Sequence, residues 1–274
     1  MKIGIVGCAG RMGRMVVAEV LTTDGVELAG GTEAPGSDFI GQDVAALAGM
    51  GAGAEAVGIA PGIKIGGDAG ALFQDSDVVI DFTVPAATAG HAGLAGGNGC
   101  ALIVGTTGLE AEHMDALASA AEKAVVVQAA NMSVGVNLLL GLTEQVAGAL
   151  GDEYDIEIFE MHHRHKVDAP SGTALALGQA AAAGRGVDLN QVSKRGRDGN
   201  TGPRNPGDIG FAVLRGGDVA GDHTVIFAGD GERIELTHKA GNRSVFARGA
   251  VRAALWTAKQ KPGLYSMRDV LGLG

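Results

Sequence analysis

The stretch Lys2-Ile-Gly-Ile-Val6-Gly7-Cys-Ala-Gly10-Arg-Met-Gly13-Arg-Met-Val-Val-Ala-Glu-Val-Leu21 decides the fold. Its apolar start predicts a buried strand over 2–6, and the spacing that follows predicts a helix over 11–21. Three glycines stand between strand and first helical turn. Gly7 permits a tight turn, Gly10 lets backbone approach a pyrophosphate, and Gly13 lets the helix pack closely on the strand. The helix N-terminus then offers unpaired N–H groups and a favourable dipole to phosphates. The GxxGxxG spacing is weaker than the commoner GxGxxG, but strand, loop and helix in order supply the context. A second strand over Glu27–Thr32 ends at Glu33, 20 residues past Gly13. A carboxylate there can bind both ribose hydroxyls of NAD. Ala34 and Pro35 follow instead of a basic residue, which favours NADH over NADPH. Arg11 and Arg14 could approach a 2′-phosphate, so dual use stays open.

The alternation continues outward from this opening. Strands over Asp77–Ile80, Ala101–Val104 and Ala124–Gln128 are separated by helices over Thr88–Ala95 and Glu110–Ala121, the pattern of a parallel, doubly wound sheet. Residues 34–76 are Gly- and Ala-rich, with a short strand at Ile63-Lys-Ile65. Beyond Asn131 the pattern changes. It predicts helices over Val136–Leu150 and Ser171–Ala183, the latter N-capped by Ser171. Strands are predicted over Asp155–Met161, Ile209–Leu214, His223–Ala228 and Arg233–His238, and a closing helix over Ser244–Lys259. The fold class is α/β: a Rossmann-like nucleotide-binding domain plus an α+β substrate and oligomerisation domain with an open mixed sheet. The expected domains are 1–130, rejoined by 241–274, and 131–240. An open sheet has a face that another subunit can cover, so a homo-oligomer is expected.

Composition narrows the function classes. The 274 residues are 46% hydrophobic but only 4% aromatic, so the core must be built from Val, Ile, Leu and Ala. A net charge of −10 argues against broad nucleic-acid or membrane-surface binding. Cys8 and Cys100 are too few for a disulfide framework and fit a reduced cytoplasm. The chain enters its first strand without a signal-peptide pattern. Val134–Leu142 is the most apolar stretch, too short for a membrane span and read as a buried helix.

Against this acidic background the run Glu160-Met-His-His-Arg-His-Lys-Val-Asp-Ala-Pro-Ser-Gly-Thr-Ala174 concentrates three of the seven histidines with an Arg and a Lys. Clustered cations imply a small anion, and histidines that titrate near neutrality can move protons. A continued strand would put His163 and His165 on one face as zinc ligands, but the adjacent Lys and Arg disfavour a cation and no third ligand is evident. No metal is expected. Asp81-Phe-Thr83, Gly105-Thr-Thr-Gly108 and Asn131-Met-Ser133 each follow a strand, where open α/β sheets bind ligands.

Gly7–Arg14, Gly105–Gly108, Asn131–Asn137 and Glu160–Ala174 together resemble the 4-hydroxy-tetrahydrodipicolinate reductase (dihydrodipicolinate reductase) family. So do Ile209–Ala212, Arg215–Asp218, Gly221–Thr224, Thr237–Ala240 and Gly263–Val270. The resemblance spans the chain. It implies reduction of 4-hydroxy-tetrahydrodipicolinate, or its dehydrated form, to tetrahydrodipicolinate by NADH or NADPH, in a cytoplasmic homotetramer of the diaminopimelate–lysine pathway. It also implies site residues. The cofactor would be held by Gly7, Cys8, Ala9, Gly10, Arg11, Met12, Gly13, Glu33, Gly105, Thr106, Thr107, Ala129, Ala130, Asn131 and Met132. A substrate carboxylate would be held by His163, Lys166, Gly172 and Thr173, and His162 and Lys166 are the two candidate acids. The alternative is another NAD-dependent dehydrogenase of an amino or keto dicarboxylate.

Overall fold

The computed structural model describes residues 1–50 and 62–273. Its elements run β1 (Lys2–Val6), α1 (Arg11–Thr22), β2 (Glu27–Thr32), α2 (Val44–Leu47), α3 (Ala69–Asp75), β3 (Val78–Asp81), α4 (Pro85–Asn98), β4 (Ala101–Val104), α5 (Ala111–Ala121) and β5 (Val125–Gln128). They continue as α6 (Val134–Leu150), β6 (Asp155–His162), α7 (Gly172–Arg185), α8 (Leu189–Val192), β7 (Ser193–Lys194), β8 (Ile209–Arg215), β9 (Gly221–Gly229) and β10 (Glu232–Ala240). The chain closes with α9 (Ser244–Thr257), β11 (Gly263–Tyr265) and α10 (Met267–Leu271). Residues 1–134 and 243–272 make one compact unit, and residues 135–242 with Leu273 make the other.

The first unit is a six-stranded sheet in the order β11-β5-β4-β3-β1-β2, every pair parallel. Its central strands are short runs of Val, Ile, Leu and Ala, with Asp81 closing β3, buried on both faces as helices on both sides require. Ile3, Ile5, Val78 and Ile80 pack in one cluster with Val16 and Val20 of α1 and Ala250 and Ala254 of α9. Val79, Leu102 and Val104 face the other way, in a cluster with Ala92 and Ala95 of α4 and Leu117 of α5. From β1 the chain goes first to β2 on one side and then to β3 on the other. The loops after β1 and β3 therefore diverge and leave a crevice at the carboxyl ends of the strands.

The second unit carries a five-stranded sheet in the order β10-β9-β6-β8-β7. β6 pairs antiparallel with β9 and parallel with β8, so the sheet is mixed. Ile156, Ile158, Phe211, Val225 and Phe227 cluster with Leu139 of α6 and Leu177 and Ala181 of α7. The other face of β6 carries the half-buried Phe159 and Met161, and Met161 lies beside the exposed Leu214 in the register of β6 on β8.

Two sequence expectations changed. Ile63-Lys-Ile65 forms no strand: it makes isolated bridges at Lys64 and Gly66, because glycines at 62, 66 and 67 break the run. The last residues do more than follow a helix. β11 adds to β5 as a parallel edge, and α10 starts at a capping box in which Ser266 and Asp269 satisfy each other's backbone N–H groups.

Candidate active site

Each unit holds a polar cluster at the carboxyl ends of parallel strands. In the first, β1 turns through Gly7, whose φ of +65° is a left-handed conformation that costs glycine no steric penalty. Gly13 lies over this turn, where a Cβ would come 2.1 Å from the Gly7 carbonyl oxygen. Only glycine lets α1 begin that close to β1. Gly10 caps α1 with backbone alone, so the helix N-terminus carries no side-chain cap. Glu33 reaches back across the turn, and its Oε1 accepts the Ala9 N–H at 2.7 Å. The Arg14 Nε donates to the Ala9 carbonyl at 2.7 Å, and its guanidinium lies 5.4 Å from the centre of the Phe39 ring. Arg14 is thus engaged with the loop, while Arg11 is exposed. Cys8 is buried against β2, and burial, with the nearby Glu33 charge, pushes its thiol up to about 12. Its side chain faces inward, and only its backbone is on the loop.

The other predicted cofactor loops follow β3, β4 and β5. Gly105 N–H donates to the Asp81 carbonyl and Ala129 N–H to the Val104 carbonyl, so the three loops are stitched in series. Asn131 caps its own turn, with Oδ1 accepting the Ser133 N–H at 2.8 Å. Ala130 and Thr107 are exposed, Asn131 half-buried and Met132 buried. Thr106 is buried and its hydroxyl turns inward to Asp81.

In the second unit β6 ends at His162, followed by a turn in which Lys166 N–H bonds the His163 carbonyl. The alternation that would have put His163 and His165 on one strand face therefore stops short, and their ring centres lie 6.3 Å apart in the turn. His162 is buried, with Nδ1 2.6 Å from Glu160 Oε2. Glu160, 1% exposed, is gripped from two further sides. Arg215 donates both guanidinium nitrogens to it, at 2.8 and 2.9 Å, and Ser171 N–H donates at 3.0 Å. Burial works to raise the Glu160 carboxyl, but the bonds from Arg215, His162 and Ser171 outweigh it and hold it below the usual carboxylate range. With Glu160 ionised, the 2.6 Å contact is a hydrogen bond donated by Nδ1 of His162. The other nitrogen, Nε2, would lie 3.0 Å from a Cβ at Gly221, so glycine there keeps the ring edge uncovered.

The predicted N-cap Ser171 accepts the Ala174 N–H and lies 3.1 Å from His223 Nε2. The His223 ring meets the His162 ring edge-on, centres 5.0 Å apart. Burial, reinforced by the neighbouring His162, lowers His223 from 6.5 to about 4, so it stays neutral. Lys166 Nζ pairs with Asp168 at 2.7 Å on the same loop, and Gly172 and Thr173 open α7. Sequence reasoning gave no role to Glu160, Arg215, Ser171 as a Glu160 donor, or His223. Arg215 and His223 stood in stretches that carried the resemblance, but nothing local tied them to Glu160.

Comparison with known proteins agrees across the whole chain. Residues 1–132 match the family model described as dihydrodipicolinate reductase, N-terminus, and residues 135–271 the one described as dihydrodipicolinate reductase, C-terminus. A 4-hydroxy-tetrahydrodipicolinate reductase of Afipia carboxidovorans is 54% identical over 274 residues, covering 100% of this chain and 98% of the relative. The protein of that name from Magnetococcus marinus is 53% identical over 271 residues, covering 99% and 98%. Among solved structures, a dipicolinate-bound dihydrodipicolinate reductase from Paenisporosarcina sp. TG-14 superposes with a TM-score of 0.74, covering 97% of each chain. At 23% identity that likeness speaks for the fold.

Proposed function

The chain belongs to the dihydrodipicolinate reductase family, and on that premise we propose that it reduces 4-hydroxy-tetrahydrodipicolinate with loss of water, or its dehydrated form directly, to tetrahydrodipicolinate. It is an oxidoreductase and its cofactor is a pyridine nucleotide. The residues present suit that group: a glycine turn a Cβ would fill, a helix N-terminus with no side-chain cap, and a carboxylate at the tip of β2. The cradle is Gly7, Cys8, Ala9, Gly10, Arg11, Met12 and Gly13, with Glu33, Gly105, Thr106, Thr107, Ala129, Ala130, Asn131 and Met132. Bound there, a reduced nicotinamide supplies hydride to the substrate. Glu33 is anchored through Oε1, and among the described residues nothing donates to Oε2, which remains for ribose hydroxyls. That arrangement favours NADH over NADPH.

The residues of the second unit handle the substrate's charge and its proton. Hydride addition to an imine-like carbon leaves negative charge on the neighbouring atom, and an acid held there quenches it. His162 is that acid. Its Nδ1 is fixed by Glu160, which directs the ring and leaves Nε2 to deliver the proton. The single observation that carries this role is the Glu160–Arg215 clamp behind His162. His163, Lys166, Gly172 and Thr173 hold a substrate carboxylate. Lys166 must share or leave Asp168 to do so, and an ion pair whose carboxylate is exposed costs little to exchange.

A homotetramer in the cytoplasm belongs to the same reading. The apolar residues Phe159, Met161 and Leu214 on the outer face of the second sheet support the assembly, and among the described residues no helix is long and apolar enough to cross a membrane. The test is NADH and NADPH oxidation by the purified protein, with substrate made in place by the synthase that precedes this step. Oxidation that requires the synthase, with higher kcat/KM for NADH, is expected. Folded, dinucleotide-binding protein without oxidation would remove the activity, and a strong NADPH preference would remove the role given to Glu33.

A further inference from the structure

We infer that Asp81 and His91 are positioning residues for the bound dinucleotide, a buried clasp that holds the loops after β1, β3 and β4 in one register. The inference rests on the dinucleotide-binding reading of the first unit and adds residues that touch no cofactor.

Asp81 ends β3 with 0% exposure. Its Oδ1 accepts the Thr83 N–H at 2.8 Å, the Thr83 hydroxyl at 2.6 Å and the Thr106 hydroxyl at 3.1 Å. Its Oδ2 lies 2.8 Å from Nδ1 of His91, which reaches in from α4. The Thr88 hydroxyl donates to Thr106 at 3.0 Å and closes the group. Burial alone would raise this carboxyl, but the bonds from His91 and Thr83 and the His91 charge hold it low, so it stays an anion. A buried charge adds little stability over an apolar side chain of the same shape. Its position explains more than its energy does, because its partners come from the loops after β3 and β4 and from α4, beside the crevice.

The clasp reaches the dinucleotide loops through packing. A Cβ at Gly7 would stand 2.7 Å from the Thr83 methyl, and one at Gly105 would stand 2.1 Å from the Phe82 ring. Residues 82 and 83 thus lie directly against the pyrophosphate turn and the Gly105–Gly108 loop. Freeing them from Asp81 loosens both loops at once. Thr106 belongs to the cradle through its backbone, while its hydroxyl is engaged by Asp81 and Thr88 inside the clasp.

Titrating NADH against its own fluorescence, with steady-state kinetics beside it, tests the clasp. Asp81→Asn is expected to raise the NADH Kd and KM about tenfold while kcat at saturating NADH falls less than about threefold. Thr106→Val should raise Kd by a few-fold, and Thr106→Ser should return it to the wild-type value. The Thr106 pair carries the test if Asp81→Asn does not fold. Unchanged Kd in folded Asp81→Asn and Thr106→Val, or a Thr106→Ser no better than valine, overturns the clasp. A wild-type protein that binds neither NADH nor NADPH overturns instead the reading on which it rests.

Discussion

Asp81 and Glu160 occupy matching places in the two units. Each lies at or near the end of a strand, each is at most 1% exposed, and each meets Nδ1 of a histidine, at 2.8 and 2.6 Å. They differ in what else surrounds the carboxylate. Asp81 has hydroxyls and a backbone N–H, and among the described residues His91 is its one ion-pairing side chain. Glu160 has the Arg215 guanidinium in a two-bond grip. Its charge is matched whatever His162 does, so His162 can lose and regain a proton without stranding a buried anion. The comparison teaches how the same pair of residue types serves two ends. On the proposed roles, a carboxylate paired with a histidine alone serves as a tie, while one with a permanent second countercharge leaves its histidine available for proton transfer.

The largest effect that sharpens this contrast is expected at His162. His162→Gln should lower kcat about 10²–10⁴-fold, the usual loss on removing a general acid, with the NADH Kd unchanged. Lys166→Ala should act mainly on the substrate KM. A Lys166→Ala whose kcat falls as far as that of His162→Gln would move the acid to Lys166.

Next comes stability. Arg215→Met leaves Glu160 as Asp81 is, with a histidine as its only cationic side chain. Breaking such a pair should cost about 3 kcal/mol in urea unfolding. A loss under about 1 kcal/mol would mean that Glu160 does not depend on Arg215.

A smaller effect, spread over pH, is expected from His223. The unfolded chain takes up this proton near 6.5, but folded His223 does so only at about 4. Between those values the unfolded state binds more protons, so stability falls as pH falls. At about 1.4 kcal/mol per pH unit the loss reaches roughly 3 kcal/mol by pH 4. Urea midpoints from pH 7 to 4 should show this slope, shallower in His223→Asn. Equal slopes in the two proteins would contradict a buried, neutral His223.

These contrasts also mark how far the sequence could be read. The Gly7–Gly13 turn, the alternation of β3 through β5 and the Ser171 cap are local patterns, set by spacing of 2 or 3.6 residues and by single capping side chains. They were legible for that reason. So was the crowding of cations in 162–166. The clamp was not, because Arg215 meets Glu160 from 55 residues away, and pairing of β6 with β8 brings them together. Glu160 itself sat in a strand pattern, where a carboxylate reads as solvent-facing. His91 is only ten residues from Asp81, yet it sat inside a helix pattern with nothing to mark it as buried toward a charge. β11 was lost to its length of three residues, and it exists because β5 offers an edge.

The most direct measurement compares Glu160→Gln with Asp81→Asn in parallel, reading kcat in the synthase-coupled assay and the NADH Kd by fluorescence. Glu160→Gln should lower kcat about 10²-fold or more and leave Kd as in the wild type, while Asp81→Asn should raise Kd and largely spare kcat. The same pattern in both variants, whether in kcat or in Kd, would contradict the division of work between the two carboxylates.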